Sequence, residues 1–574
     1  VLNSTTEISL TQGGSVIAAD TRFNAAKFSL TQNGQTTPPL DLQVTCTVTV
    51  NTADQSARLQ TLTLNGTQNQ KPLLRGSLTQ PMTLAWGNAA AAAGDAAFDL
   101  VVTDFNFADW KAVLGDSVSA GRLSLNLNVL SQQGGKQLKL GLTSQIADLA
   151  LQPGATPLTI GAKLDGTFAN QALDLRQLQL TLTPTARAPK NELNVAGQLD
   201  LSTPTTKGRL SVKADTFDVT QLYDAFSGEK NSATSTSTAG ASARPAPAAS
   251  SPGNVEPDPK NLPLQLTADA KLDRVYLHEI AITNWQATAK VDGGRITIDP
   301  CRLALNGAPV NATVDLNLGV KGYVYALSLL MDGVPLEPIA NTFSPANRGQ
   351  YQGLILANAQ IKGAGVTGKS LQKNLTGQAS FTFTNANIQL MGPKTKKVIV
   401  PIATLLRVNE ITQSPVNWLD AQTEIGGGNI KVSRFTLQSA AFEARTQGVI
   451  PIAEVLTNSP LNLPVDFALR RSLAEKSSLL APNTPTNAAY APLPNFVTLK
   501  GTLGDMKPEL HELALRSMLL RSGTGLAEKY GVKVDPKTSN LLHSVLSGEK
   551  PATTNQPSTN KAPKLNPLDF FKKQ

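Results

Sequence analysis

The stretch ALDLRQLQLTLT, residues 172–183, sets Leu173, Leu175, Leu178 and Leu180 among Asp, Arg, Gln and Thr. Aliphatic residues alternating with polar ones is the period of a strand with one apolar face and one wet face. The pattern returns in ARLQTLTLNGT (57–67), GRLSLNLNVL (121–130), GRITIDPCRLALNG (294–307) and NIKVSRFTLQS (429–439). Breaks such as QQGGKQ (132–137) and VDGGRI (291–296) read as hairpin turns. Helical periodicity is rare until the C-terminal quarter, where DFALRRSLAEKSSLL (466–480) and KPELHELALRSMLLRSGTGLAEKYG (507–531) are helix candidates. The chain is expected to be mainly β with short helices: an elongated, curved, repetitive sheet with its helices concentrated near the C-terminus.

Composition agrees. Of 574 residues only 16% are charged, against roughly 25% in ordinary soluble domains. With 43 glycines and 36 prolines, this is a turn-rich β profile of a protein working outside the cytosol. A disordered chain would hold less Leu and Val. The net charge of +9 is spread thinly, with no basic cluster interleaved with aromatics, so nucleic acid is not an expected partner. Cys46 and Cys301 each sit in a strand-like run. They read as two buried small hydrophobes, with one long-range disulfide as the alternative. No stretch reaches the roughly 20 apolar residues that cross a bilayer; VIVPIATLL (398–406) is short and carries Pro401. Any signal or membrane anchor is expected upstream of Val1.

Three segments share a finer pattern, apolar-x-apolar-x-x-apolar-x-x-x-apolar. They are Phe105, Phe107, Trp110 and Leu114; Phe217, Val219, Leu222 and Phe226; and Val334, Leu336, Ile339 and Phe343. Each turns a strand ending into one short amphipathic helix. Ile430, Val432, Phe435 and Leu437 repeat the spacing of Leu173, Leu175, Leu178 and Leu180. A recurrence near every hundred residues or so suggests an elongated body of repeated β-modules. NSATSTSTAGASARPAPAASSPGNVEPDP (231–259) falls outside it and reads as a disordered Ser/Ala/Pro-rich insertion. The expected organisation is repeated β-groove modules over 1–230, the insertion over 231–259, a second β-groove region over 260–510, helices over 511–550 and a disordered tail over 551–574.

GAGVTGKS (363–370) matches the phosphate-loop pattern, with Gly363, Gly368, Lys369 and Ser370 in the diagnostic places. A working phosphate loop joins a buried parallel strand to a helix of several turns. Here YQGLILANAQIK precedes it without a βαβ pattern, and alternation resumes after Gly377. The match is read as coincidence, with no nucleotide and no cofactor.

The surrounding segment resembles the C-terminal region of AsmA-like proteins of the Gram-negative envelope. ANAQIKGAGVTGKSLQKNLTGQASFTFTNANIQLMG (357–392) fits that family's strand, turn, short helix and strand through Gly368, Ser370, Leu371, Leu375, Gly377, Ile388 and Gly392. It departs at Asn385–Asn387, where the family often has an Asp-Gly turn. GGGNIKVSRFTLQSAAFEARTQGVIPI (426–452) and LPNFVTLKGTLGDMKPEL (493–510), with Gly501, Thr502 and Pro508, resemble its closing units. The resemblance implies a taco-shaped β-groove with an apolar interior, tethered to the inner membrane in the periplasm. It also implies phospholipid transfer toward the outer membrane, outer-membrane biogenesis, and in older terms regulation of protein targeting to membranes. Phospholipid or another acyl-chain lipid, the membrane and envelope proteins are the partners it implies.

The residues reach a compatible expectation separately. A sheet with one aliphatic face must cover it or leave it wet, at about 25 cal/mol per Å². With few helices, it either closes on itself as a sandwich or barrel, or curls into a trough filled by an apolar ligand. The candidate lining residues are Leu62, Leu64, Leu123, Leu125, Leu173, Leu175, Leu178, Leu180, Leu210, Val212, Ile296, Ile298, Leu303, Leu305, Leu327, Leu329, Phe381, Phe383, Ile430, Val432, Phe435 and Leu437. Which strand parity faces inward is open. A structural scaffold or adhesin-like protein with closed cores is the alternative. An enzyme is not expected: His278 in an alternating run and His511 and His543 in helix-like segments are scattered, and GDSVSAG (115–121) lacks the hydrolase elbow spacing.

Overall fold

A computed structural model describes residues 1–32, 34–87, 94–115, 119–151, 156–227, 255–388, 400, 402–403, 406, 408–481, 483–511 and 514. Twenty-eight strands hydrogen-bond into one long, curved sheet, and Thr31–Gln32 with Gln35–Thr36 form a separate small hairpin. Successive strands pair antiparallel as a meander, from Leu2–Thr11 against Val16–Phe28 to Val497–Thr502 against Met506–Leu510. Those first and last strands pair with no further described strand, so the sheet is open. One step is parallel: Thr206–Ala214 and its short continuation Phe217–Asp218 both lie beside Leu264–Leu277.

The ladders fix where the helices stand. If Ala96–Asn106 runs upward, six antiparallel steps bring Thr206–Ala214 to the same direction. The parallel step and four antiparallel ones then bring Val324–Pro335 to it as well. Each of these strands runs into helix: the 3-10 turn Phe107–Trp110 with α1 (Lys111–Leu114), α2 (Thr220–Ser227) and α3 (Leu336–Phe343). All three therefore stand on one long edge, here the upper edge. α4 (Gly368–Asn374) lies on the lower edge, and α5 (Glu410–Gln413) and α6 (Arg471–Lys476) on the upper.

The repeated apolar pattern packs as its spacing requires, up to its last position. Val219 and Leu222 cover Leu182, Phe217, Leu272 and Val275. Leu336 and Ile339 cover Val310, Val334 and Ile355. Phe105 stacks on Trp110 with ring centroids 5.1 Å apart. The fourth residue of each pattern, Leu114, Phe226 or Phe343, is instead 40, 67 or 58% exposed, because one or two helical turns cannot bring it back onto the sheet.

Several expectations need correction. Helices lie near the C-terminus only in part: α5, α6, the 3-10 turn Leu456–Asn458 and helical residues 400, 402–403, 406 and 514 stand in the later part of the chain, while α1 to α4 stand earlier. Residues 466–470 are strand, the end of Pro460–Arg470, and only 471–476 are helical. Period-two Leu461, Leu463, Val465, Phe467 and Leu469 decide this by pairing with neighbouring strands. Residues 507–510 belong to strand Met506–Leu510. His278 stands in the tight turn after Leu264–Leu277 with φ +49°, and His511 follows the last strand. Both cysteines are free and only half-buried. The expected helices beyond 514, His543, most of the insertion and the tail lie outside the described residues.

Candidate functional site

Residues directly opposite across a ladder share a sheet face, so the registers trace each face from strand to strand. Leu62 and Leu64 oppose Cys46 and Val44, and Leu64 opposes Gly76, which opposes Leu100. Leu100 faces Leu127, and Phe105 faces Leu123. The trace continues through Leu142, Leu164 and Leu178 to Val195 and Val212. It runs on through Ala270, Ala287, Cys301, Ala312, Leu329, Ala359 and Ala379. It reaches Thr423, Val432 and Gly448. All 22 candidate lining residues lie on this one apolar face.

Bulges make that possible. Leu173 and Leu175 are two positions apart, but Leu178 is three beyond Leu175, which would flip it in a regular strand. A register shift between Leu175 and Leu178 restores it to the apolar face. The same device acts at Val432–Phe435 and between Ile298 and Cys301. The shared spacing of Leu173–Leu180 and Ile430–Leu437 is thus the signature of a strand bent without exchanging its faces.

Leu175 and Val432 are buried, Leu327 is 44% exposed, and the other 19 are half-buried. α2 and α3 roof the upper half of the face. The lower half, with Leu173, Ile296 and Leu327, remains a half-open aliphatic strip, and the half-buried Leu125 and Leu210 continue it at mid-height. Sequence reasoning missed Phe23, Val44, Phe98, Leu140 and Phe168, which lie on the same face. Their runs are diluted by Ala, Thr and Asp, although the alternation is present.

The opposite face is ionic. Arg295 donates to Asp315 at 2.6 and 2.9 Å, Arg176 to Asp165 at 2.6 Å, and Arg209 to Asp269 at 2.9 Å. Asp315 is held below the ordinary carboxylate range first by its bond from Arg295. Asp269 is lowered by Thr288 and then Arg209. At the upper edge a buried polar knot fixes the start of α2. The Asn191 amide donates to the carbonyls of Thr183 at 2.8 Å and Asp218 at 3.2 Å, and accepts from Asp218 N–H at 2.8 Å. Arg187 and Thr185 donate to the Asp218 carboxylate. Burial opposes ionisation of Asp218, but bonds from Thr220 and Arg187 outweigh it and lower its pKa.

The phosphate-loop match has a different occupant. Gly363 is the last residue but one of strand Tyr351–Ala364, where a Cβ would meet the Tyr325 hydroxyl at 2.3 Å. Gly368 begins α4 against the backbone of Glu454, 2.2 Å from where a Cβ would stand. The next strand returns antiparallel, and Lys369 points to solvent. The loop N–H groups of Val366 and Thr367 donate to Glu256, at 2.9 and 3.2 Å. A carboxylate of the chain itself fills the anion nest. His278 meets Asp224 at 2.8 Å and His511 meets Thr498 at 3.0 Å. Among the described residues no three His, Cys, Asp or Glu gather as metal ligands, and no helix is long and apolar enough to cross a membrane.

Residues 22–435 match the model of the AsmA family. No curated protein matches the chain.

Proposed function

The chain belongs to the AsmA family, and on that premise we propose that it carries phospholipid across the periplasm without chemical turnover. The family is associated with the bacterial envelope and with lipid, and is generally non-enzymatic. One observation carries the reading. A single open sheet gathers most of its aliphatic side chains on one face over more than twenty strands, and most of those stay half-buried. An acyl chain laid on that strip removes both partners from water, at about 0.8 kcal/mol per CH₂. Such recognition needs no residue-specific hydrogen bond, in keeping with a strip of Leu, Ile, Val and Phe. In this reading the strip is the inside of a groove serving outer-membrane biogenesis and lipid homeostasis, and the protein is tethered to the inner membrane.

The competing scaffold reading draws support from the C-terminal end, where Phe442, Phe467 and Phe496 are fully buried. Mass spectrometry of the organic extract of gently purified protein separates the two. Stoichiometric phospholipid is expected. A lipid-free extract, together with failure of the delipidated protein to bind a fluorescent fatty acid, would favour the scaffold.

A further inference from the structure

The apolar face changes character along the sheet. At the first strand Leu2, Ile8 and Leu10 are 66, 62 and 65% exposed. Midway Leu327 is 44% exposed. On Pro460–Arg470 the residues of this face, Leu461, Leu463, Val465, Phe467 and Leu469, are 5, 5, 7, 2 and 0% exposed. The face is the same one, since Leu437 opposes Ala444 and Ala444 opposes Phe467.

Two layers seal it. On the upper half, Ile402, Leu406, Val408 and Ile411 arrive from the segment before strand Val416–Gly426, and Ala474, Leu493 and Phe496 from the other side. Together with the strand residues they form a core of fifteen buried side chains. Its centre is an aromatic stack: Phe442 lies on Phe467 at 5.1 Å and 12°, and Phe467 meets Phe496 edge-on at 5.9 Å. On the lower half, Leu499, which opposes Leu463 in the same sheet, and Leu503 pack against Val432, Ile450, Leu461 and Leu463. The family match stops at Phe435, so the strands Phe442–Pro451, Pro460–Arg470 and Val497–Thr502 that wall this core lie beyond it.

We propose that the acyl-chain site is blind-ended: lipid occupies the strip from the first strands to about Asn429–Ser439 and stops against this core. The proposal rests on the lipid reading above. An acyl chain passing farther would have to part a close-packed interior, whereas among the described residues no such core covers the first strands or the lower half as far as Leu327. Lipid therefore loads and leaves at the first-strand end or sideways, and the C-terminal core serves as a stop.

The test uses the full chain and phosphatidylcholine vesicles carrying a diazirine-tagged acyl chain, followed by irradiation and mapping of adducts by mass spectrometry. Adducts at Leu125, Leu173 and Leu327, with Phe467, Ala491 and Phe496 at background, are the expected result. Labelling of Phe467 and Phe496 comparable with that of Leu327 would overturn the blind end while leaving the lipid reading intact. Absence of adducts throughout would remove the lipid reading, and this inference with it. Hydrogen exchange on the same samples gives a second readout: the amides of 461–469 should stay equally protected with and without vesicles, and deprotection by lipid counts against a stop.

Discussion

The carboxylate of Glu256 accepts a hydrogen bond from the backbone N–H of Thr367 at 3.2 Å and another from its hydroxyl. This pair clips the segment before strand Leu264–Leu277 to the loop under Tyr351–Ala364. The same segment continues along the lower edge, where Gly322 N–H donates to the Pro257 carbonyl and Lys260 N–H to that of Leu318. Hydrogen bonds from Ser370 first, then Thr367, lower the Glu256 pKa from 4.5 to about 2.

A depressed carboxylate pKa contributes stability that is fully present above the unfolded value and is lost as pH falls toward the folded one. Glu256→Gln should therefore melt below the wild type at pH 7, with the gap closing between pH 4.5 and about 2. Thermal unfolding of both proteins across that range checks it. Because the Glu256 side chain is only half-buried, the closing gap is the diagnostic rather than its size. A gap constant with pH would mean that Glu256 acts through shape alone.

Gly368 and Lys369 distinguish a structural loop from a phosphate site. Gly368→Ala sets a Cβ 2.2 Å from the Glu454 Cα and should cost about 1–3 kcal/mol, as overpacking does. Lys369→Ala should be neutral within about 0.5 kcal/mol, as for an exposed surface residue. Urea unfolding measures both, and magnesium–ATP should not shift either midpoint.

Leu327 and Leu330 share strand Val324–Pro335, are 44 and 47% exposed, and point to opposite faces. Leu327 opposes Ile361, whereas Leu330 opposes Asn358. Leu327→Asp should reduce co-purifying phospholipid severalfold, and Leu330→Asp should leave it unchanged. Equal effects would remove the face from the argument.

Asn191 is 1% exposed and joins three short hydrogen bonds. Asn191→Ala strands the Asp218 N–H and the Thr183 carbonyl in a buried place, a loss of about 2–3 kcal/mol. Chemical denaturation followed by circular dichroism reads it. Increased protease access at α2 in the variant would locate the damage.

The sheet and its face were legible because alternation is a local property that cross-strand pairing preserves. The spacing of Leu173, Leu175, Leu178 and Leu180 even encoded a bulge, although only the register shift between Leu175 and Leu178 identifies it as one. Helix was misread at Asp466–Arg470 because Leu469 and Leu473 mimic a helical stripe, while pairing of Phe467 with Ala444 holds the strand. The occupant of the phosphate-loop match was illegible, since Glu256 lies 111 residues before Thr367 and nothing local links them. The sealed C-terminal end was equally hidden, because Phe442, Phe467 and Phe496 meet only in three dimensions.

The lone parallel step between Thr206–Ala214 and Leu264–Leu277 bears on how the chain reaches this state. Most other ladders can zip from a hairpin, with loop closures of a few residues. This one must bring together strands separated by about fifty residues, and closure entropy grows only as the logarithm of that length. The nucleation of the second half of the sheet on the first is thus the least local event in assembly and the expected source of a slow phase. Doubling the intervening segment should add only about 0.6 kcal/mol, which leaves evolution free to vary its length.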